Sequence, residues 1–307
     1  MIERRNVDNN FIEQLQNVLE EGQVSLQEPM ERHTTFRAGG PADYFVRPKR
    51  RQIQPVVSLC RQYQVPWMVI GNGSNLLVGD KGVRGLVIEL GRMAGISVEG
   101  DVVRAEAGAL LSATARRVAE EGLTGMEFAA GIPGSIGGAV VMNAGAYGGE
   151  MCHIIREATV LTKEGEEKSL SLPELELGYR KSCILKNQYI VLEARLQLSA
   201  GDKETVFQRM AELRDRRTEK QPLEYPSAGS TFKRPEGYFA GKLIQDSGLR
   251  GYQVGGAQVS EKHCGFVINK EKATAAEIRQ LISDVQDRVE GQFGVRLEPE
   301  VKFTGEF

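Results

Sequence analysis

The chain has 307 residues, a length that allows two domains or three small ones. Its 41% hydrophobic and 26% charged residues are globular proportions and exclude a disordered chain. Lys plus Arg is 39 against 41 for Asp plus Glu, a net charge of −2, so the basic excess of a dedicated nucleic-acid binder is absent.

In chain order, Met1-Ile2-Glu3-Arg4-Arg5-Asn6 has no apolar run behind its charges, so no secretory leader is expected. Phe11, Leu15, Val18 and Leu19 recur at helical spacing and predict a helix near residues 10–20, with Asn10 as its cap. β-rich runs follow at Val65–Ile70, Leu86–Leu90 and Val102–Glu106, then a helix over about residues 111–121. Strands are expected at Ala158–Thr162 and Tyr189–Leu198, and a charge-dense helix over residues 203–217 with Val206, Phe207, Met210 and Leu213 on one stripe. After a strand at Phe266–Asn269, Thr274 with Glu277 forms a capping box. The helix it opens presents Ile278, Leu281, Ile282, Val285 and Val289, with Gly291 as its stop, and a last strand is expected over Val295–Phe303. Mixed helices and strands of this kind predict an α+β fold, with domain boundaries near residues 92 and 205. The four cysteines (60, 152, 183, 264) and three histidines (33, 153, 263) are widely scattered, which argues against a disulfide framework and a metal site. These features read as a soluble, reduced, cytoplasmic protein.

Glycine is enriched, with 35 residues, about 11% of the chain. One cluster is Gly71-Asn72-Gly73-Ser74-Asn75, directly after a predicted strand. Its glycines permit a sharp turn that exposes consecutive N–H groups, a nest suited to a diphosphate. Leu76 fills the third glycine slot of a Rossmann fingerprint and no helix is expected to follow, so that pattern fails. A plain strand-to-strand turn reads equally well from these residues alone. The second cluster, Gly131–Gly149, holds seven glycines and no charge. It is too rich in glycine and polar groups for a membrane span. Its many backbone donors and acceptors need partners, which a flat, uncharged flavin ring offers; packing between two sheets is the alternative.

At this point the sequence resembles a known family. Thr34-Thr35-Phe36-Arg37-Ala38-Gly39-Gly40-Pro41-Ala42-Asp43, Gly71-Asn72-Gly73-Ser74-Asn75-Leu76-Leu77 and Gly131–Gly149 carry the resemblance. So do Gly178-Tyr179-Arg180, Pro226-Ser227-Ala228-Gly229-Ser230-Thr231-Phe232-Lys233, Gly255-Gly256-Ala257-Gln258-Val259-Ser260 and Leu297-Glu298-Pro299-Glu300-Val301. In this order they are similar to the UDP-N-acetylenolpyruvoylglucosamine reductase (MurB) family over nearly the whole chain. The resemblance implies a two-part FAD-binding region of the vanillyl-alcohol-oxidase (PCMH) type, residues 1–92 and 93–205. It also implies a C-terminal α+β domain for a UDP-sugar, residues 206–307, whose last strand packs back towards the flavin. The short tract between Arg180 and Ser230 looks like type II members, which lack the tyrosine-bearing insertion over the substrate. Arg234 departs from an asparagine that contacts substrate in type I members.

The implied reaction is NADPH-dependent reduction of UDP-N-acetylglucosamine enolpyruvate to UDP-N-acetylmuramate through non-covalent FAD, in bacterial cell-wall precursor synthesis. The resemblance assigns FAD contacts to Gly71, Asn72, Gly73, Ser74, Asn75 and Leu76, and to Gly131, Ile132, Pro133, Gly134, Ser135, Gly137, Gly138, Asn143 and Gly145. Arg37 is placed by a FAD phosphate or the flavin edge. It assigns catalysis to Arg180 as holder of the substrate carboxylate, Ser230 as proton donor and Glu300 as second stabiliser in its protonated form. Tyr147, Tyr179, Lys220 and His263 are the implied substrate contacts. From the residues alone, Arg180 and Lys220 also read as surface cations, Glu300 as part of a solvated strand face with Glu298 and Lys302, and His263 as a loop histidine. No metal, nucleic acid, membrane insertion or obligate protein partner is expected. Two other readings stay open: a flavoprotein of the same fold acting on a small alcohol or acid, and a non-catalytic nucleotide-binding module. The glycine clusters hold no His or Cys for covalent flavin attachment, and a nucleotide module has no use for Arg180, Ser230 and Glu300 together.

Overall fold

The computed structural model describes the backbone of residues 2–307 and the side chains from residue 9 on. Met1, part of the segment read for a leader, lies outside the described residues. The chain gathers into two compact units, each built from three stretches. One unit comprises the chain up to Leu26, Tyr44–Asn72 and Gly85–Asp215. The other comprises Gln27–Asp43, Gly73–Arg84 and Arg216–Phe307.

The first unit is built on a five-stranded antiparallel sheet, ordered Glu167–Ser171, Ile155–Leu161, Ile190–Gln197, Val102–Glu106 and Ile96–Glu99. Its central strand, Ile190–Gln197, buries alternate residues, and Ile190, Leu192, Ala194 and Leu196 enter the core. In a second sheet, Trp67–Ile70 runs parallel to Val83–Glu89, from Trp67↔Leu86 to Ile70↔Glu89. Helix α1 (Ile2–Val18) starts earlier than the apolar spacing predicts, so Asn10 lies inside it and caps nothing. Helix α2 (Arg50–Gln62) is unanticipated. Gln52 opens it by accepting the Lys49 N–H at 2.7 Å, and Ile53, Val56, Val57 and Cys60 form its buried stripe. Helix α3 (Leu111–Glu120) falls where the pattern puts it. The second glycine cluster contains an unanticipated helix, α4 (Ile136–Met142), because Ile136, Ala139 and Val140 supply a buried face between the glycines. Short α5 (Cys183–Lys186) is capped by the Ser182 hydroxyl, and α6 (Lys203–Lys220) agrees with its prediction.

In the second unit a three-stranded antiparallel sheet, ordered Gln253–Val254, Ala257–Val259 and Val267–Asn269, packs with α7 (Ala240–Asp246) and α8 (Ala275–Phe293). The capping box at Thr274 and Glu277 is present. The carboxylate of Asp80 adds a second cap, accepting the N–H groups of Ala275 at 2.7 Å and Ala276 at 2.8 Å. Gly291 does not stop this helix. Gly294, at φ +67°, does, returning its N–H to Glu290. The expected strand over Val295–Phe303 is regular only at Lys302–Thr304, where it runs parallel to Leu76–Val78. Pro299 lacks an N–H, and the chain there holds on by an isolated bridge to Phe232. Among the described residues no helix is long and apolar enough to cross a membrane.

Candidate functional site

Strand Trp67–Ile70 delivers the chain into the Gly71–Asn75 turn. In the first unit that turn meets the Gly131–Ser135 tract. A Cβ at Gly71 would fall 2.1 Å from Ser135 Oγ, so a side chain there would displace that hydroxyl. Asn72 Nδ2 donates to the Pro133 carbonyl at 3.3 Å. Ser135 is 3% exposed, and its hydroxyl has no hydrogen-bond partner among the described residues. A buried hydroxyl in that condition costs free energy until something bonds to it. Gly137 instead packs on Ala107, whose carbonyl takes its N–H at 2.8 Å.

In the second unit the turn continues against His33–Arg37. Gly73 stands at φ +59°, and a Cβ there would lie 1.9 Å from the His33 carbonyl oxygen. The Thr35 N–H donates to the Gly73 carbonyl at 3.3 Å, and Thr35 Oγ1 is a second buried hydroxyl without a partner among the described residues. Thr35 lies in one of the sequence motifs, where its residue type alone points to no role. Asn75 braces the turn: Nδ2 donates to the Glu300 carbonyl at 3.1 Å, and its main-chain carbonyl accepts the Lys302 N–H at 2.9 Å. Leu76 opens the strand paired with Lys302. We expect Gly73→Ala to lower stability by about 2 kcal/mol or more, from backbone clash and left-handed strain together. Urea unfolding with unchanged stability would contradict the close approach.

Two tight hairpins of the first unit present other candidate residues. Gly145–Ala146 pairs with Gly149–Glu150, and Tyr147 and Gly148 form the tip at φ +54° and +87°, both left-handed as a type I′ turn requires. Gly178 and Lys181 exchange both backbone hydrogen bonds, at 3.0 and 3.1 Å, with Tyr179 and Arg180 at the tip. Arg180 is held at φ +55°, a costly conformation for a non-glycine residue, and its guanidinium lies 5.0 Å from the Tyr179 ring centre. Asn143, at φ +41° and 1% exposed, engages its amide with protein groups around these hairpins.

In the second unit, residues 227–233 run between strand Val267–Asn269 and residues 298–300. Thr231 donates its N–H to Gly265, accepts the Val267 N–H on its hydroxyl at 2.9 Å and accepts the Glu300 N–H at 2.8 Å. Ser230, exposed and next to the left-handed Gly229 (φ +74°), is thus anchored one residue from Glu300's partner. Lys233 forms an ion pair with Glu298, which accounts for Glu298 as a surface carboxylate. Lys220 is the exposed last residue of α6. His263 Nδ1 accepts the Gly265 N–H at 3.1 Å, which assigns the ring proton to Nε2, and burial holds the imidazole below its ordinary pKa. Arg180 belongs to the first unit, and Ser230, Glu300, Lys220 and His263 to the second. No group of three or more His, Cys, Asp or Glu among the described residues could hold a metal.

In the first unit the uncharged glycine tract and the buried Ser135 hydroxyl, and in the second unit Gly73, which admits no Cβ, and the buried Thr35 hydroxyl, each suit a flat dinucleotide such as FAD. Residues 42–171 match the family described as FAD binding domain, and residues 221–304 match UDP-N-acetylenolpyruvoylglucosamine reductase, C-terminal domain. A UDP-N-acetylenolpyruvoylglucosamine reductase of Agathobacter rectalis is 55% identical over 98% of this chain and 100% of its own length. The crystal structure of the enzyme from Thermus caldophilus has a TM-score of 0.78 at 36% identity, covering 92% of this chain and 98% of that one. A 4-ethylphenol oxidase from Gulosibacter chungangensis shares the fold alone, with a TM-score of 0.50 at 18% identity over 64% of this chain and 43% of that one.

Proposed function

The chain belongs to the UDP-N-acetylenolpyruvoylglucosamine reductase family, and from that premise we propose how its residues carry the reaction. It is an FAD-dependent UDP-N-acetylmuramate dehydrogenase, reducing UDP-N-acetylglucosamine enolpyruvate with NADPH in peptidoglycan precursor synthesis. The carrying observation is 55% identity along essentially the full length of a named relative. The test is product analysis: purified protein, NADPH and the enolpyruvyl sugar must yield UDP-N-acetylmuramate. Turnover of a small alcohol or acid instead would overturn the reading.

We further propose that the protein is of type II, since the tract between Arg180 and Ser230 is short and holds only α5, strand Ile190–Gln197, a two-residue strand and α6. Functionally it divides into two FAD-binding parts, residues 1–92 and 93–205, and a UDP-sugar part, residues 206–307. It works in the cytoplasm on a small UDP-sugar, without nucleic acid, membrane insertion or an obligate protein partner.

Bound FAD, once reduced by NADPH, supplies the hydride that no side chain can supply. The residues that would hold it are the Gly71–Leu76 turn and the Gly131–Gly138 tract, with the Ser135 and Thr35 hydroxyls as hydrogen-bonding groups. An enol ether is electron-rich and resists hydride unless its carboxylate absorbs the developing charge. Arg180 provides that: its planar guanidinium holds the carboxylate through two parallel hydrogen bonds. Ser230 delivers the proton to the carbon beside the carboxylate. Glu300, in its protonated form, donates to the enolate oxygen. Lys220 and His263 bind the UDP-sugar, the latter as a neutral donor through Nε2, and Tyr147 and Tyr179 flank it from their hairpin tips.

Glu300 separates two possibilities. As a donor it is replaceable by an amide, so Glu300→Gln should keep more activity than Glu300→Asp, which shortens the reach. Steady-state kcat for the two variants decides this. A dead Glu300→Gln beside an active Glu300→Asp would show that the ionised form is needed.

A further inference from the structure

Asn143 was expected to touch the cofactor, but its amide is engaged elsewhere. Nδ2 donates one hydrogen to Glu150 Oε2 at 2.9 Å and the other to the Gly178 carbonyl at 3.2 Å. Oδ1 accepts the Cys152 N–H at 2.9 Å. Gly178 is the base of the hairpin that carries Arg180. Glu150 closes the hairpin that carries Tyr147, pairing with Gly145. On the far side of the Arg180 hairpin, Ser182 Oγ donates to the Val141 carbonyl at 2.7 Å. A two-residue tip with a non-glycine residue at φ +55° is not self-sustaining and needs such external restraint.

We propose that Asn143 is a positioning residue for Arg180: with Glu150 it clamps the Gly178–Lys181 hairpin and aims the guanidinium. This rests on the proposed role of Arg180 as holder of the substrate carboxylate. Two features select asparagine here. It tolerates the left-handed backbone at φ +41°, and its amide gives two hydrogens and accepts one. Nearby alternatives fail: aspartate would set its carboxylate against that of Glu150, and alanine would both lose the amide and strain the backbone.

Asn143→Gly isolates the amide, because glycine keeps the backbone unstrained. On FAD-loaded protein, calorimetry should show affinity for the enolpyruvyl sugar falling roughly 10- to 100-fold. UDP-N-acetylglucosamine, which lacks the carboxylate, should lose less than about twofold. Glu150→Ala should repeat this pattern, and Glu150→Gln, which retains an acceptor, should restore most of the affinity. In an Arg180→Ala background, Asn143→Gly should add nothing. Full affinity in both Asn143→Gly and Glu150→Ala, an equal loss for both sugars, or an undiminished loss in the Arg180→Ala background would overturn the clamp. If Asn143→Gly does not load with FAD, Glu150→Ala decides by the same criteria. An Arg180→Ala protein that binds the carboxylate sugar normally would instead overturn the Arg180 reading itself.

Discussion

Arg180→Ala is expected to leave reduction by NADPH unchanged and to slow reoxidation by the enolpyruvyl sugar by roughly 10³-fold. The physical reason is where the charge goes. Hydride adds to the terminal vinyl carbon, and negative charge accumulates over the neighbouring carbon and the carboxylate. The first half-reaction involves no carboxylate, so loss of the guanidinium touches only the second. Arg180→Lys keeps the charge and loses the two parallel hydrogen bonds, so it should recover a minor part of the rate. Arg180 is presented at the tip of a two-residue hairpin in a left-handed conformation, a placement that ordinary surface arginines do not require. Stopped-flow absorbance at the flavin band, run separately with each substrate, reads both steps. Equal slowing of both would mean that Arg180 supports the protein in general.

Ser230→Ala should behave alike in the first step and fail at the last. With no proton donor beside the carboxylate, product formation should fall by roughly 10²- to 10⁴-fold. A serine hydroxyl is a poor acid on its own, so its setting matters. Thr231, which follows it, is fully buried and bonded to Gly265, Val267 and Glu300, so the serine is fixed although exposed. Gly229 at φ +74° leaves open space where a side chain would stand, which keeps the approach free for a bulky sugar. Ser230→Cys, whose thiol is a poorer hydrogen-bond donor but a stronger acid, should retain more than alanine. Normal product formation in the alanine variant would remove Ser230 from the proton path.

Local signals were legible. The Thr274–Glu277 capping box and the apolar stripe behind it mark α8 because every interaction involved lies within four residues. Strands Val102–Glu106 and Ile190–Gln197 stand out because a buried strand alternates or runs apolar. Helix α2 was hidden by Pro55 in its interior, which local rules read as a break although the stripe on either side survives it. Helix α4 was hidden by its two glycines, which lower helix propensity, although Gly137 packs closely on Ala107. Gly291 and Gly294 look alike in sequence, and only the left-handed backbone at Gly294 distinguishes the cap.

The site was legible as types of residue and illegible as connections. Nothing within a few residues of Asp80 announces that it caps a helix 195 positions onward. Asn75 reads as a cofactor residue, yet its amide braces the Glu300 segment 225 positions away. Asn143 reads likewise, and its amide ties together two hairpins. Side-chain amides serve ligand and backbone equally well, so their residue type does not say which. The glycines were legible as turn formers. That Gly73 is needed for want of room beside the His33 backbone, and that Gly71 lies against the Ser135 hydroxyl, required the fold.

The central claim is tested most directly by an anaerobic titration of the wild-type protein carrying FAD. NADPH should bleach the yellow chromophore, and stoichiometric UDP-N-acetylglucosamine enolpyruvate should then restore it with one equivalent of UDP-N-acetylmuramate. Protein that binds no flavin, or a bleached chromophore that the enolpyruvyl sugar leaves colourless, would contradict the account.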